Sequence, residues 1–207
     1  MVVANYGSRI DNSGRMVVQE SRKRKLRVGL DFDGVVAYNP ARIIRAPVKW
    51  FKREVLGIKK LSFFVPKNWW QRLAWTAVHE SSIWPATGIE LLKKMVNEGR
   101  IEVHLITGRF NLLEANTNAW LEKNGLTSYF KTVNINLKCA QPHLFKQKIV
   151  TKLKLDYYVE DNLDIVLYLQ NKVKAHVFWI YNFMDMRHPY PDKFPYLKKA
   201  LMALPVK

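Results

Sequence analysis

Cysteine occurs once in the 207 residues, at Cys139, so neither an intramolecular disulfide nor a cluster of thiolate metal ligands can form. Acidic residues are scarce too: 17 Asp and Glu stand against 34 Lys and Arg, a formal net charge of +17. That imbalance predicts a positive surface potential that attracts polyanions. No apolar run approaches the length needed to span a bilayer, so no membrane segment is expected. His79, His104, His143, His176 and His188 are too scattered for a histidine metal site and read as structural or surface residues. The first residues lack the apolar core of a secretory signal, and with a single cysteine this points to a reducing, cytoplasmic setting. No internal repeat is present.

An apolar fraction of 48% is ordinary for a globular chain, and the length suits one buried domain with a modest insertion. Residues 1–25 are polar and end in Ser21-Arg22-Lys23-Arg24-Lys25, which predicts a disordered basic arm. Beyond the arm, strand and helix patterns alternate. Strands are predicted over 26–32, 101–106, 132–135, 155–159 and 176–181. Helices are predicted over 87–98, 112–123, 145–153, 163–171 and 196–203. Strands separated by helix-length segments imply a doubly wound parallel α/β sheet with helices on both faces. Residues 38–85 break the rhythm with Trp50, Phe51, Phe63, Phe64, Trp69, Trp70, Trp75 and Trp84 among many basic residues. The stretch is too long for a structureless loop and reads as a helical cap inserted after the first strand, in a core formed by 26–37 and 86–207.

Polar groups suited to phosphoryl chemistry stand at three predicted strand ends. The first strand runs into Asp31-Phe32-Asp33-Gly34, the second into Ile106-Thr107-Gly108-Arg109, and the fourth into Glu160-Asp161-Asn162. Alternation along a straight strand would put Asp31 and Asp33 on one side. Ligands of open parallel sheets bind beyond the carboxyl ends of the strands. Clustered carboxylates there suit a hard divalent cation, and a hydroxyl and lysine suit phosphate oxygens. Lys138, Lys146 and Lys148 are all available for the lysine. Taken singly these features are common turns and helix caps; their order at successive strand ends is what specifies a metal-dependent phosphoryl site.

In that order, VGLDFDGVV, LITGR, a lysine near Phe145-Lys146 and YYVEDN resemble the four motifs of the haloacid dehalogenase (HAD) superfamily. Within it the chain resembles phosphatases with a small helical cap, nearest the 5′(3′)-deoxyribonucleotidase-like group. The resemblance implies a Rossmann-like fold and hydrolysis of a phosphate monoester through an aspartyl-phosphate. It makes Asp31 the nucleophile and Asp33 the acid and base. Thr107 and Lys146 would act on the phosphoryl group, and Gly108 and Arg109 would bind substrate. Magnesium would be held by Asp31, Asp33 and Glu160 or Asp161. The fourth motif carries Glu-Asp where many such phosphatases have Asp-Asp, and Lys146 fits the third motif best by its distance from the fourth strand.

Two other readings fit the charge. One is a nucleic-acid-binding protein on an inherited phosphatase scaffold; the other is a phosphatase acting on nucleic-acid ends. The cap aromatics divide in the same way, between packing as a small core and stacking on a nucleobase. Sequence leaves the oligomeric state undetermined.

Overall fold

A computed structural model describes residues 7–10, 16–19, 24–38, 68–71, 76, 84–183 and 185–206. In chain order the strands and helices are β1 (Gly7–Ile10), β2 (Met16–Gln19), β3 (Leu26–Leu30), β4 (Ala37–Tyr38), β5 (Trp84–Pro85), α1 (Ile89–Asn97), β6 (Ile101–Phe110), α2 (Glu114–Lys123), β7 (Phe130–Asn136), α3 (Pro142–Lys152), β8 (Tyr157–Glu160), α4 (Leu163–Leu169), β9 (His176–Ile180), β10 (Lys193–Phe194) and α5 (Leu197–Met202). Six strands form one sheet in the order β10-β9-β8-β3-β6-β7, and every pairing in it is parallel. None of the helices among the described residues is long and apolar enough to cross a membrane.

Strand alternation sorts the apolar side chains into two cores. Val28, Leu30, Val103, Leu105, Val159 and Phe178 pack with Leu92 and Met95 of α1, Leu121 of α2 and Leu197 and Leu201 of α5. On the other face Ile106, Tyr158, Val177 and Trp179 pack with Val150 of α3 and Val166 and Leu169 of α4. Neighbouring residues such as Tyr158 and Val159 fall in different cores, as the pleat requires. The sheet is therefore covered on both sides, and the doubly wound α/β fold expected from the alternation is the fold observed. Close approach sets one residue choice in β3. A Cβ on Gly29 would lie 2.5 Å from Leu155 Cδ1 and 2.8 Å from Tyr158 Cδ2, so only glycine admits both side chains there.

Several boundaries differ from expectation. The second strand continues past Ile106 to Phe110, with a shift of register against β7 between Thr107 and Phe110. Helix α3 starts at Pro142 rather than at residue 145, since proline's fixed φ and missing N–H suit a first turn. The short sixth strand β10 was not expected; two residues carry no readable alternation. Within the segment read as a disordered arm, β1 and β2 pair antiparallel from Gly7↔Gln19 to Ile10↔Met16, a correction for those eight residues.

Most of the expected cap, including Trp50, Phe51, Phe63, Phe64 and Trp75, lies outside the described residues. At its two ends β4 and β5 pair antiparallel, Ala37↔Pro85 and Tyr38↔Trp84. Residues 69–71 are helical. Trp69, Trp70 and Trp84 are all more than half exposed, so these three aromatics do not serve as interior packing.

Candidate active site

β3 lies between β8 and β6, which brings the ends of the three motif-bearing strands side by side. Asp31 follows directly on β3. Its N–H donates to the Val159 carbonyl at 3.0 Å, continuing the ladder one residue beyond the strand. Its Oδ1 accepts the Phe32 N–H at 2.8 Å, which fixes the carboxylate plane. Its Oδ2 lies 2.9 Å from Lys146 Nζ. The same ammonium donates to Glu160 Oε2 at 2.7 Å. Lys146 reaches this position from the second turn of α3, and it is buried, whereas Lys138 and Lys148 are exposed. Burial settles which lysine faces the carboxylates.

Glu160 has no solvent exposure and is bonded on both oxygens. Its Oε2 also accepts the Tyr158 hydroxyl at 2.9 Å, and its Oε1 accepts the Asn162 N–H at 3.2 Å. Asp161 is half-buried, and its carbonyl accepts the Trp179 indole N–H at 3.3 Å. Asp31, Glu160 and Asp161 each place a carboxylate oxygen within 4.8 Å of the others. These three carboxylates and the Lys146 ammonium thus converge at the carboxyl edge of the sheet.

Burial, then the Glu160 charge, push Asp31 well above the usual carboxylate range, and Lys146 only partly opposes them. Burial alone would lower Lys146, but Asp31 and Glu160 outweigh it and hold the ammonium charged beyond its ordinary range. The Tyr158 hydroxyl is raised by burial and by Glu160, so it stays protonated as a donor. Hard oxygen donors gathered in this way fit a divalent cation such as magnesium, for which Asp31, Asp161 and Glu160 are the candidate ligands.

Asp33 belongs to a different arrangement. The chain turns after Asp31: Val36 and Ala37 N–H groups return to the Phe32 carbonyl, Gly34 takes φ +81°, and Asp33 bridges to Ala37. The Asp33 carboxylate is gripped by Arg109, whose Nη2 donates to Oδ1 at 2.8 Å and Nε to Oδ2 at 2.9 Å. The acidic cluster among the described residues consists of Asp31, Glu160 and Asp161 without Asp33, because the strand does not run straight past Leu30. Arg109, expected to bind substrate, is only 2% exposed and donates to Asp33, Asn116 and Thr117. Gly108 has a packing reason of its own: a Cβ there would meet Pro142 Cβ at 3.2 Å, where β6 passes the start of α3. Thr107 is buried within β6, and its hydroxyl accepts the Arg109 N–H at 3.2 Å.

The three-layer topology matches solved structures of HAD-superfamily proteins. The fold is HAD-like. Magnesium-bound YfnB from Bacillus subtilis, a HAD-hydrolase by name, superposes with a TM-score of 0.57 at 10% identity, over 88% of this chain and 99% of that one. A protein from Thermotoga maritima named as a beta-phosphoglucomutase gives 0.56 at 13% identity, over 86% and 98%. CbbY from Rhodobacter sphaeroides, solved with phosphate, gives 0.52 at 14% identity, over 85% and 96%. No protein-family model and no curated protein sequence matches the chain.

Sequence reasoning missed Tyr158, Asn116, Thr117 and Phe32. For Tyr158 the signal was present, since it lies two residues before Glu160 on one face of a strand. Nothing in the sequence marked Asn116 or Thr117 as partners of Arg109.

Proposed function

We propose that this chain is a magnesium-dependent phosphatase that hydrolyses a phosphate monoester, a nucleotide in the finer reading, through an aspartyl-phosphate. The observation that carries the proposal is the buried contact of Asp31 with Lys146, inside a cluster of carboxylates at the carboxyl edge of the sheet.

In this reading an Asp31 oxygen attacks phosphorus, forming an acyl-phosphate bond as the bond to the leaving oxygen breaks. Asp33 gives its proton to the departing alkoxide, then takes one from the water that attacks the aspartyl-phosphate, and inorganic phosphate leaves. Lys146 and Thr107 bear on the phosphoryl oxygens, where a fixed ammonium and hydroxyl offset the charge that develops. Glu160 and Tyr158 keep the lysine in place. Magnesium, when held by Asp31 with Asp161 or Glu160, supplies Lewis-acid neutralisation of the phosphate charge. YfnB with magnesium and CbbY with phosphate bind these groups on the same fold.

A nucleotide is favoured over other monoesters by the motif resemblance and by the exposed Trp69, Trp70 and Trp84, which offer flat apolar faces for a base. The net charge of +17 favours a second reading with the same chemistry, removal of a phosphate from a nucleic-acid end. Both are tested by phosphate release from nucleoside monophosphates, sugar phosphates and 3′- or 5′-phosphorylated oligonucleotides, in magnesium or EDTA. Magnesium-dependent release that disappears in Asp31→Asn is the expected result. No release from any of these substrates in magnesium would overturn the assignment.

A further inference from the structure

The terminal torsion of an aspartate is broad, so a carboxylate in a turn is free to rotate unless something outside it fixes its plane. Asp33 sits in such a turn, directly before Gly34. The Arg109 fork supplies the missing constraint: two parallel bonds of 2.8 and 2.9 Å define the plane of the carboxylate as one ammonium would not. The guanidinium is itself held on its other edge. Nη1 donates to Asn116 Oδ1 at 3.0 Å and to Thr117 Oγ1 at 3.2 Å, and the Thr117 hydroxyl donates in turn to the Leu113 carbonyl at 2.8 Å. Its face lies 4.3 Å from the centre of the Phe32 ring, and Phe32 is braced edge-on by Trp120 at 5.0 Å. Asp33 is thus fixed through Arg109 to α2, whereas Asp31 is fixed through Lys146 to α3.

We infer that Arg109 is the positioning residue for the acid–base group Asp33, with Asn116 as its support, and that it binds no substrate. The inference rests on the phosphatase reading. Its mechanical content is that the fork aims one Asp33 oxygen at the leaving atom. A misplacement of the order of 1 Å costs about a hundredfold in rate, so loosening the fork shows in the chemistry before it shows in the fold.

The test compares kcat/KM on a deoxynucleoside 5′-monophosphate, whose alkoxide needs a proton to depart, with p-nitrophenyl phosphate, whose phenolate leaves without one. Arg109→Lys keeps the charge and loses the fork. Asn116→Ala leaves the fork and removes a support from a half-buried position, so it serves if the buried substitution fails to fold. In both variants the nucleotide should lose at least about tenfold more than the nitrophenyl ester, the smaller shift being in Asn116→Ala. Millimolar guanidinium should restore part of the nucleotide activity of Arg109→Ala. Equal losses on both esters would overturn the positioning role, because lost substrate binding or general loosening does not distinguish leaving groups. A wild-type protein silent on both esters in magnesium would instead overturn the phosphatase reading, and the inference with it.

Discussion

Replacing Lys146 by methionine separates the site described above from a surface lysine of a very basic chain. The side chain is 3% exposed and its two partners, Asp31 and Glu160, are 5% and 0% exposed. Methionine nearly conserves the volume, so the perturbation is electrostatic rather than a cavity. Removing one partner from a buried ion pair typically costs about 3–5 kcal/mol because the remaining charge is stranded. Here two carboxylates are stranded. Asp31, whose affinity for a proton is already raised by burial and by Glu160, takes one up and relieves part of the cost. The lower end, about 3 kcal/mol, is the expected value. For a urea slope of about 2 kcal/mol per molar, that moves the unfolding midpoint down by roughly 1.5 M.

Urea melts followed by tryptophan fluorescence in EDTA, where no divalent cation offsets the carboxylates, measure the shift. The same variant should lose about a hundredfold or more in kcat for phosphate release in magnesium, the usual cost of removing one fixed group from the developing charge. Lys148→Met, two residues along the same helix but exposed, is the control and should stay within about 0.5 kcal/mol of wild type. A Lys146→Met protein as stable and as active as wild type would refute the account of the site. So would a Lys148→Met protein that carried the losses instead.

Gly29→Ala places a methyl group against Leu155 and Tyr158 and should cost about 1–3 kcal/mol in the same urea melts. Wild-type stability in that variant would show that β3 has room to spare. Burial lowers the affinities of His104 and His143 for protons below the ordinary value of 6.5, so the unfolded chain takes up protons first as the solution is acidified. Stability should then hold above pH 6.5 and fall below it, and His104→Gln should flatten that slope; a midpoint independent of pH between 8 and 5.5 contradicts the assignment. Binding to DNA or RNA through the net charge of +17 should be weak, indifferent to sequence and steeply reduced by salt in filter-binding assays. Nanomolar, sequence-selective binding at physiological salt would favour the scaffold reading over the enzyme.

What sequence conveyed and what it withheld divide along a physical line. The sheet was legible because burial on both faces forces long apolar runs, and the helices between them leave 3.6-residue patterns. Asp31, Thr107 and the Glu160–Asp161 pair stand out for a related reason: each interrupts or ends such a run with a polar group that has no apolar packing purpose. Lys146 was ambiguous against Lys138 and Lys148 because a basic chain offers many lysines, and only the rotation of α3 about its axis decides which one is buried. A guanidinium after a strand-end threonine fits a substrate-binding role in sequence. Its contact with Asp33 depends on the turn at Gly34, which carries Asp33 back toward β6, and on the register shift after Thr107, which no local pattern encodes. The two aspartates therefore look equivalent in sequence and are opposite in structure. Asp31 is held by an ammonium on one oxygen and a single backbone N–H on the other, which leaves lone pairs on both open to an electrophile. Asp33 is held by a planar fork, which fixes an orientation. A nucleophile has to meet a phosphorus atom that arrives with the substrate, while a proton donor has to wait in one direction. The two different cations set beside the two carboxylates suit those two tasks.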